Sequence, residues 1–256
     1  MDLKKIYKET LGNTRVDTIV RKTYARFFGN DVLRVVYYRE MEAVFERVLR
    51  ADSNCIDVGC HEGNVLQRLV ALSPKGFHWA FEPIPERHTR LQKRFPGVQV
   101  MNLALSDREK RTVFNYVPEC DALSGLKRRD YPGVAEVQEI PVRTVALDHL
   151  LQPEFRVDLL KIDVEGAELE VLRGAFNTLK KWRPITIFQH GLGSAEYYDT
   201  RPEQLYDLFG AAGMRISLMD AWLAGRPPLN RDRFVRQFYR RLNYIFIAHA
   251  ALILGE

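Results

Sequence analysis

The sequence of 256 residues predicts an α/β fold with a seven-stranded, mostly parallel sheet and helices on both of its faces. The first observation behind this prediction is that short apolar runs alternate with stretches of helical periodicity, as expected for parallel strands joined by helices. The second is that glycine and proline separate these runs and give each element a defined end. Most of the polar residues discussed below follow a strand, at the sheet edge where such folds bind ligands.

Seven apolar runs account for the strands of the main sheet. They lie at 55–58, 78–81, 98–103, 157–162, 184–188, 215–219 and 244–248. Two further strands are expected at 111–117 and 137–142, around a loop. Helices are expected between the main runs, including one from Glu165 to about Trp182 and one that starts at the Thr200–Glu203 capping-box pattern.

The chain divides into an N-terminal helical extension at 1–50 and a domain at 51–256 that holds the sheet. Met41, Phe45 and Val48 recur at helical spacing just before the first strand. The domain includes a basic, proline-containing insertion at 220–242, between the last two strands. Its length suffices for one large hydrophobic core.

Composition and charge narrow the range of partners. Hydrophobic residues make up 46% and charged residues 28% of the chain, which is ordinary for a globular protein. The formal net charge of +5 favours acidic small molecules over DNA. No run of about 18 apolar residues predicts a membrane span, and the first residues lack the apolar stretch of a signal peptide.

The three cysteines match no zinc-binding pattern in number or spacing. We interpret Cys55, Cys60 and Cys120 as reduced thiols, which predicts a cytoplasmic protein.

The turn after the first strand reads DVGCHEG, from Asp57 to Gly63. Gly59 allows a tight turn and the close approach of a ligand, and Gly63 lets the next helix begin near the strand. Cys60 and His61, between the two glycines, are expected to contact the same ligand. The three-glycine dinucleotide fingerprint is absent, and an acid beside the turn suits a positively charged cofactor better than a pyrophosphate. The alternative interpretation is an ordinary strand-to-helix turn.

Glu82 ends the second strand, about twenty residues after the turn, where an acid can accept hydrogen bonds from both ribose hydroxyls. Pro83 follows it. The third strand leads into Ala104, Leu105 and Ser106, whose small, apolar and polar side chains suit an adenine slot. Together these residues predict a nucleoside cofactor; a solvated loop glutamate and a plain strand end are the alternatives.

The fourth strand and its turn read LLKIDVEGAE at 159–168. With the turn at 57–63 and the FEP motif at 81–83, this sequence resembles the FkbM-type S-adenosylmethionine-dependent methyltransferases. The stretches at 142–148 and 243–246 are similar to that family as well, so the resemblance covers most of the chain. It implies a class I methyltransferase, Rossmann-like fold with strand order 3-2-1-4-5-7-6 and an antiparallel last strand.

The resemblance also implies the cofactor and the reaction. The cofactor is S-adenosyl-L-methionine, and the acceptor is a hydroxyl group on a sugar, a glycoconjugate or a natural-product metabolite. By position, Asp57, Gly59 and Gly63 would hold the methionine end, Glu82 the ribose, and Asp163 would face the transferring methyl group.

An alcohol acceptor loses a proton, and a nearby base should contribute about 10²–10⁴-fold to the rate. Our candidates, in order, are Asp163 at the end of the fourth strand, His190 after the fifth, and Glu165 in the expected first turn of the next helix. Many relatives have an acid where this chain has Gln189 and His190, so no acceptor contact is transferred there. For each of these three residues, the alternative to acting as the base is a purely structural role. Lys161 is expected to pair with an acid, and no metal site is predicted.

The insertion at 220–242 is expected to cover the acceptor. Its arginines, Arg233 and Arg236 among them, alternate with aromatic residues and suit an anionic acceptor such as a nucleotide- or phospholipid-linked sugar. Ser124, in a loop, is expected to shape the same pocket. A helix with a solvated arginine face is the alternative.

Other functions and assembly states stay open at this point. An RNA methyltransferase and a non-catalytic S-adenosylmethionine-binding module are the alternatives to a small-molecule O-methyltransferase. The absent third glycine disfavours a nicotinamide dehydrogenase. A homodimer is one candidate assembly, and the sequence leaves the oligomeric state open.

Overall fold

The structure is a computed structural model that describes residues 30–131, 133 and 136–251. Most of the predicted N-terminal extension, residues 1–29, lies outside the described residues. The helices are α1 (Asn30–Val48), α2 (Asn64–Leu72), α3 (Pro85–Arg94), α4 (Leu147–Leu150), α5 (Glu168–Gly174), α6 (Phe176–Trp182), α7 (Pro202–Ala211), α8 (Met219–Leu223) and α9 (Arg231–Tyr239). Short 3₁₀ helices lie at Pro118–Leu123 and Ala195–Tyr198.

Ten strands form two sheets in the part of the chain that the structure describes. They are β1 (Cys55–Val58), β2 (His78–Phe81), β3 (Gln99–Met101), β4 (Ala104–Leu105), β5 (Lys110–Tyr116), β6 (Gln138–Val145), β7 (Leu159–Ile162), β8 (Ile185–Gln189), β9 (Met214–Ser217) and β10 (Ile245–Ala250). The seven-stranded sheet has the order β3-β2-β1-β7-β8-β10-β9, and β10 is antiparallel to both neighbours. This is the predicted strand order, which is confirmed together with the fold class.

The main sheet separates two hydrophobic layers because successive side chains of a strand point to opposite faces. In β7, Leu159 packs with Phe45 of α1 and Leu69 of α2, whereas Leu160 packs on the other face with Leu172 of α5. All of these side chains are fully buried. Helices therefore cover both faces of the sheet, and the polar groups that follow its strands lie at the edge.

The remaining strands form a small sheet with the order β4-β6-β5. β5 and β6 are antiparallel and correspond to the two extra strands that the sequence predicts. Near the end of β5, Asn115 also forms an isolated bridge with Gly125, which folds the intervening loop back onto this sheet. The small sheet thereby carries the 123–131 segment towards the carboxyl edge of the main sheet.

Two helix starts differ from the sequence prediction. The helix expected from Glu165 begins at Glu168, because Glu165 (φ +56°) and Gly166 (φ +111°) adopt left-handed conformations. The helix expected at a Thr200–Glu203 capping box begins instead at Pro202, and the main-chain N–H of Arg201 donates to Gln204 at 2.8 Å. Proline at the first helical position fixes that start.

The basic insertion contains helices α8 and α9. Asn230 caps α9 by accepting a hydrogen bond from the main-chain N–H of Arg233 at 2.9 Å. Among the described residues, no helix combines the length and apolar character needed to cross a bilayer.

Candidate active site

A cavity of about 650 Å³ opens at the carboxyl edge of the main sheet. Its walls come from the turns after β1, β2 and β7, from the end of β8, and from the residues just before β10. Helix α1 and the 123–129 segment close its sides. A cavity of this size is typical of sites for small molecules and cofactors.

The turn after β1 depends on its glycines. Gly59 has φ +73°, and a Cβ atom there would lie 2.0 Å from the main-chain oxygen of Asp163. Gly63 has φ +76°, and its Cβ atom would meet Leu91 and Phe95 of the α3 region at under 3 Å. Gly59 therefore packs β1 directly against the turn after β7, and Gly63 lets α2 start against α3, two close contacts that the sequence analysis did not predict.

Glu82 lies on the cavity wall with only 3% of its surface exposed. Its Oε2 accepts the main-chain N–H of His61, and its Oε1 accepts that of Ile84, each at 3.0 Å. Burial raises the pKa of Glu82 to about 7, although these N–H groups and the positive charge of Arg87 oppose the change. The carboxyl group thus changes its protonation state near neutral pH.

Lys161 connects the turns after β1 and β7. Its Nζ lies 3.1 Å from Oδ1 of Asp57 and 3.8 Å from Oδ2 of Asp163, and it donates to the main-chain oxygen of Gly59 at 2.9 Å. Burial alone would lower the pKa of Lys161, but the two carboxylates hold it above its usual value. The predicted pairing of Lys161 with an acid is confirmed, and it leaves Asp57 fully buried behind the cavity wall.

The turn after β7 is held by buried polar groups. Oε1 of Glu168, a fully buried side chain, accepts the main-chain N–H groups of Val164 and Gly166 at 3.2 and 3.1 Å. Burial raises the pKa of Glu168 to about 8. A Cβ atom at Gly166 would lie 2.5 Å from the main-chain oxygen of Ser194. The turn is therefore fixed on both sides and presents Asp163 and Glu165 to the cavity.

Two arginines of the cavity wall were not predicted from the sequence. Arg87 is 5% exposed and lies 3.4 Å from a carboxylate oxygen of Glu62. Arg129 is 6% exposed and donates hydrogen bonds to Glu165. Both belong to stretches rich in charged residues, and only their burial sets them apart from solvated neighbours.

The structure divides the predicted cofactor residues into two groups. The cavity is lined by Gly59, Cys60, His61, Glu82, Pro83, Ala104, Leu105 and Asp163. Asp57, Gly63 and Ser106 lie behind the wall. The hydroxyl of Ser106 donates to Oε2 of Glu170 at 2.9 Å and faces away from the cavity.

His190 requires a correction, because the structure does not place it at the cavity. Its surface is fully buried, and its ring stacks on Phe238 with centroids 4.7 Å apart. Burial lowers the pKa of His190 to about 3. The imidazole is thus sealed from the cavity and packs against Phe238. Glu165 also differs from expectation, since it precedes α5 and does not lie in its first turn.

The residues predicted to contact the acceptor do not all reach the cavity. Arg233 and Arg236 lie on the exposed side of α9 and do not line the cavity, because Phe234 and Phe238 occupy the inward side of that helix. Arg241, two residues after α9, lines the cavity instead. Ser124 lines the cavity, and its hydroxyl accepts the main-chain N–H of Val117 at 3.0 Å.

Comparison with known proteins identifies the family of this chain. The family model described as the methyltransferase FkbM domain matches residues 57–246, most of the chain and all the strand ends around the cavity. The chain belongs to the FkbM methyltransferase family.

Individual proteins resemble this chain at modest identity. It is 31% identical to the 2-O-methyltransferase NoeI of Sinorhizobium fredii, over 58% of this chain and 66% of that protein. It is 27% identical to the AMB antimetabolite synthetase AmbE of Pseudomonas aeruginosa, over 82% of this chain and 12% of that protein. The chain thus spans less than two thirds of the length of each of these relatives.

Among solved structures, the methyltransferase FkbM from Methylobacillus flagellatus aligns with a TM-score of 0.47 and 16% identity. That alignment covers 78% of this chain and 44% of the other.

Proposed function

We propose that this protein transfers a methyl group from S-adenosyl-L-methionine to a hydroxyl group of a small-molecule acceptor. The observation that carries the proposal is that the Gly59 turn, the Glu82 carboxyl group and the acids Asp163 and Glu165 surround one cavity. Membership of the FkbM family and the similarity to a 2-O-methyltransferase support it.

The side chains of the cavity fit this cofactor. Each carboxylate oxygen of Glu82 accepts one main-chain N–H, which leaves acceptor capacity for the ribose hydroxyls. Ala104 and Leu105 line the wall nearby and suit an adenine ring. The Gly59 turn would hold the charged methionine end. When bound, S-adenosylmethionine supplies a methyl group that its sulfonium already activates.

The protein then has to orient the acceptor and accept its proton. Asp163 lies 3.8 Å from the ammonium of Lys161 and is suited to hold the acceptor hydroxyl. Burial and the charge of Asp163 raise the pKa of Glu165 to about 7, despite the opposing charge of Arg129. We therefore propose Glu165 as the proton acceptor, ahead of Asp163.

The acceptor end of the cavity favours an anionic, hydroxylated molecule such as a sugar conjugate. Tyr38, Tyr244 and Phe238 supply aromatic surface there. The side chain of Arg241 makes no hydrogen bond or ion pair with the residues that the structure describes, and an arginine fork suits carboxylate or phosphate. Because Cys55, Cys60 and Cys120 are unpaired, a cytoplasmic setting is part of the proposal.

A labelled-methyl assay tests the reaction. The protein is incubated with methyl-labelled S-adenosylmethionine and a panel of sugars, nucleotide sugars and hydroxylated metabolites, and products are identified by mass spectrometry. We expect label on an acceptor hydroxyl, with Glu165→Gln reducing the rate by about 10²-fold or more. Cofactor binding without transfer to any panel member would contradict the proposal and favour a non-catalytic binding module.

Exchanging single arginines tests the acceptor class. Arg241→Gln should raise the KM for an anionic acceptor by about tenfold, the value of a lost charge-assisted hydrogen bond. Arg233→Gln is the matched control, because that arginine is exposed outside the cavity. Equal KM values for the two variants would contradict an anionic acceptor at Arg241.

A further inference from the structure

Arg129 reaches the site from the small sheet. Its side chain is 3% exposed and lines the cavity, four residues after the bridge that joins Asn115 and Gly125. A buried arginine needs partners for its guanidinium. Its three hydrogen bonds within the described part of the chain all go to a single residue, Glu165.

The contact fixes both the main chain and the side chain of Glu165. Nη2 of Arg129 donates to the main-chain oxygen of Glu165 at 2.5 Å, and both Nη atoms lie 3.3 Å from Oε2 of its carboxylate. Glu165 has φ +56°, a left-handed conformation that is unfavourable for a residue with a side chain. Arg129 therefore stabilises an unfavourable turn at the point where that turn presents a carboxylate to the cavity.

The segment around Arg129 is itself anchored to the wall of the site. The main-chain N–H of Lys127 donates to the hydroxyl of Tyr198 at 3.0 Å, and that of Asp130 donates to the hydroxyl of Tyr197 at 3.3 Å. Arg129 lies between these two anchors. The guanidinium of Arg129 is thus held in place by the anchored main chain of its own segment as well as by Glu165.

The groups that face Glu165 come from several elements. Asp163 lies in the same turn, and Glu168 lies at the start of α5. Gln189, at the end of β8, faces Glu165 and lowers the pKa of its carboxyl group, and Arg129 supplies the positive charge that opposes the neighbouring acids. Without Arg129, Glu165 would face only carboxyl groups and a neutral amide among these neighbours.

We propose that Arg129 is a positioning residue for methyl transfer, which holds the Glu165 carboxylate ionised and on the cavity wall. This inference rests on the proposed function. In the balanced transfer, the hydroxyl proton passes to Glu165 as the acceptor oxygen gains the methyl group. The positive charge of the sulfonium and the negative charge of the carboxylate are lost together. The small sheet, which carries the segment with Arg129, thereby contributes to the active site.

Carboxyl ¹³C NMR of the full chain tests this role without requiring an acceptor. The Glu165 signal is assigned by its absence from Glu165→Gln protein and is titrated in wild type, Arg129→Met, Arg129→Lys and Arg128→Met. Arg128 is the matched control because it is the exposed neighbour of Arg129. We expect Arg129→Met to raise the titration midpoint by about one pH unit or more, and Arg128→Met to leave it unchanged.

Kinetics with an acceptor from the labelling assay provide the second readout. Arg129→Met should lower kcat at pH 7 by about fivefold or more, because a midpoint raised by about one unit leaves about one Glu165 in eleven ionised instead of one in two. The acidic limb of its pH profile should move to higher pH. Arg129→Lys should restore part of both values, since lysine keeps the charge but not the forked contact. If Arg129→Met does not fold, as judged by near-ultraviolet circular dichroism, Arg129→Lys must still lower kcat relative to Arg128→Met.

Calorimetry with S-adenosylhomocysteine separates the possible failures. If the wild type does not bind it, the proposed function fails, whatever the NMR result. If it binds, and neither the Glu165 midpoint nor the pH profile differs between the Arg129 and Arg128 variants, the role of Arg129 is overturned while the proposed function stands.

Discussion

At the scale of single residues, the site depends on carboxyl groups that burial has made sensitive to pH. Glu82 and Glu165 both have pKa values raised to about 7, each mainly because it is withdrawn from water. They lie in different parts of the cavity, so the effects of protonating each group can be measured separately. Glu82 should act on the binding of the cofactor, and Glu165 on the transfer step.

Cofactor affinity should fall on acidification because Glu82 becomes protonated. Above pH 7 the ionised group accepts hydrogen bonds, and below it the protonated group loses acceptor capacity. Titration calorimetry with S-adenosylhomocysteine should show a Kd about tenfold higher at pH 6 than at pH 8, since about one carboxyl group in eleven stays ionised one unit below its pKa. Glu82→Gln should bind weakly at both values, whereas Glu165→Gln should keep the pH dependence. A flat profile in wild type would contradict this role.

His190→Phe should leave methyl transfer within about threefold of wild type. The histidine is fully buried against Phe238 and Phe234, so a ring of similar volume should cost less than about 1.5 kcal/mol in unfolding free energy. Activity with the labelled cofactor and urea unfolding measure the two quantities. A folded His190→Phe variant with a methyl-transfer rate 100-fold below that of wild type would contradict this prediction and indicate a catalytic role for His190.

Residues beside a strand end were predictable from the sequence, and residues brought in by the tertiary structure were not. Gly59, Glu82 and Asp163 follow β1, β2 and β7 directly, so the parallel sheet gathers them at one edge. Arg129 and Arg241 come from connections whose path depends on packing between distant elements. Periodicity along the chain carries no signal for such contacts.

At the scale of elements, the turns after β1 and β7 form one unit. The main-chain N–H of Asp163 donates to the oxygen of Val58 at 3.1 Å, and Lys161 bridges the same two turns. The close approach at Gly59 completes the contact. A helix that began at Glu165, as predicted, would replace the turn after β7. The prediction was wrong because helix propensity does not account for the buried hydrogen bonds that Glu168 accepts from the main chain of this turn.

Substituting alanine at Gly59 tests the contact between these turns. Gly225 is a matched control, since both glycines have positive φ values (+73° and +68°) but only Gly59 has a neighbour within 4 Å of an added Cβ atom. Gly225→Ala should lose about 1–2 kcal/mol of unfolding free energy in urea and bind S-adenosylhomocysteine normally.

Gly59→Ala should lose more stability than Gly225→Ala and should bind the cofactor product at least tenfold more weakly, because the added methyl group would displace the turn after β7. Equal behaviour of the two variants in both measurements would show that only backbone conformation, and not close packing, requires Gly59.

At the scale of the whole molecule, two sheets contribute to one site. The main sheet supplies the strand ends with Glu82 and Asp163, and the small sheet supplies Arg129 through the 123–131 segment. The basic insertion contributes Arg241, and its helix α9 seals His190 behind the cavity. The alternation of apolar runs predicted the strands, and the family resemblance implied their order. The closure of the cavity depends on connecting segments whose path the sequence does not reveal.

A crystal structure of the chain with S-adenosylhomocysteine is the most direct test of the central claim, that this cavity binds the methyl donor. We expect the ribose hydroxyls within hydrogen-bond distance of Glu82 and the homocysteine end at the Gly59 turn. Density for the ligand elsewhere on the protein, or an empty cavity at millimolar ligand, would contradict the account.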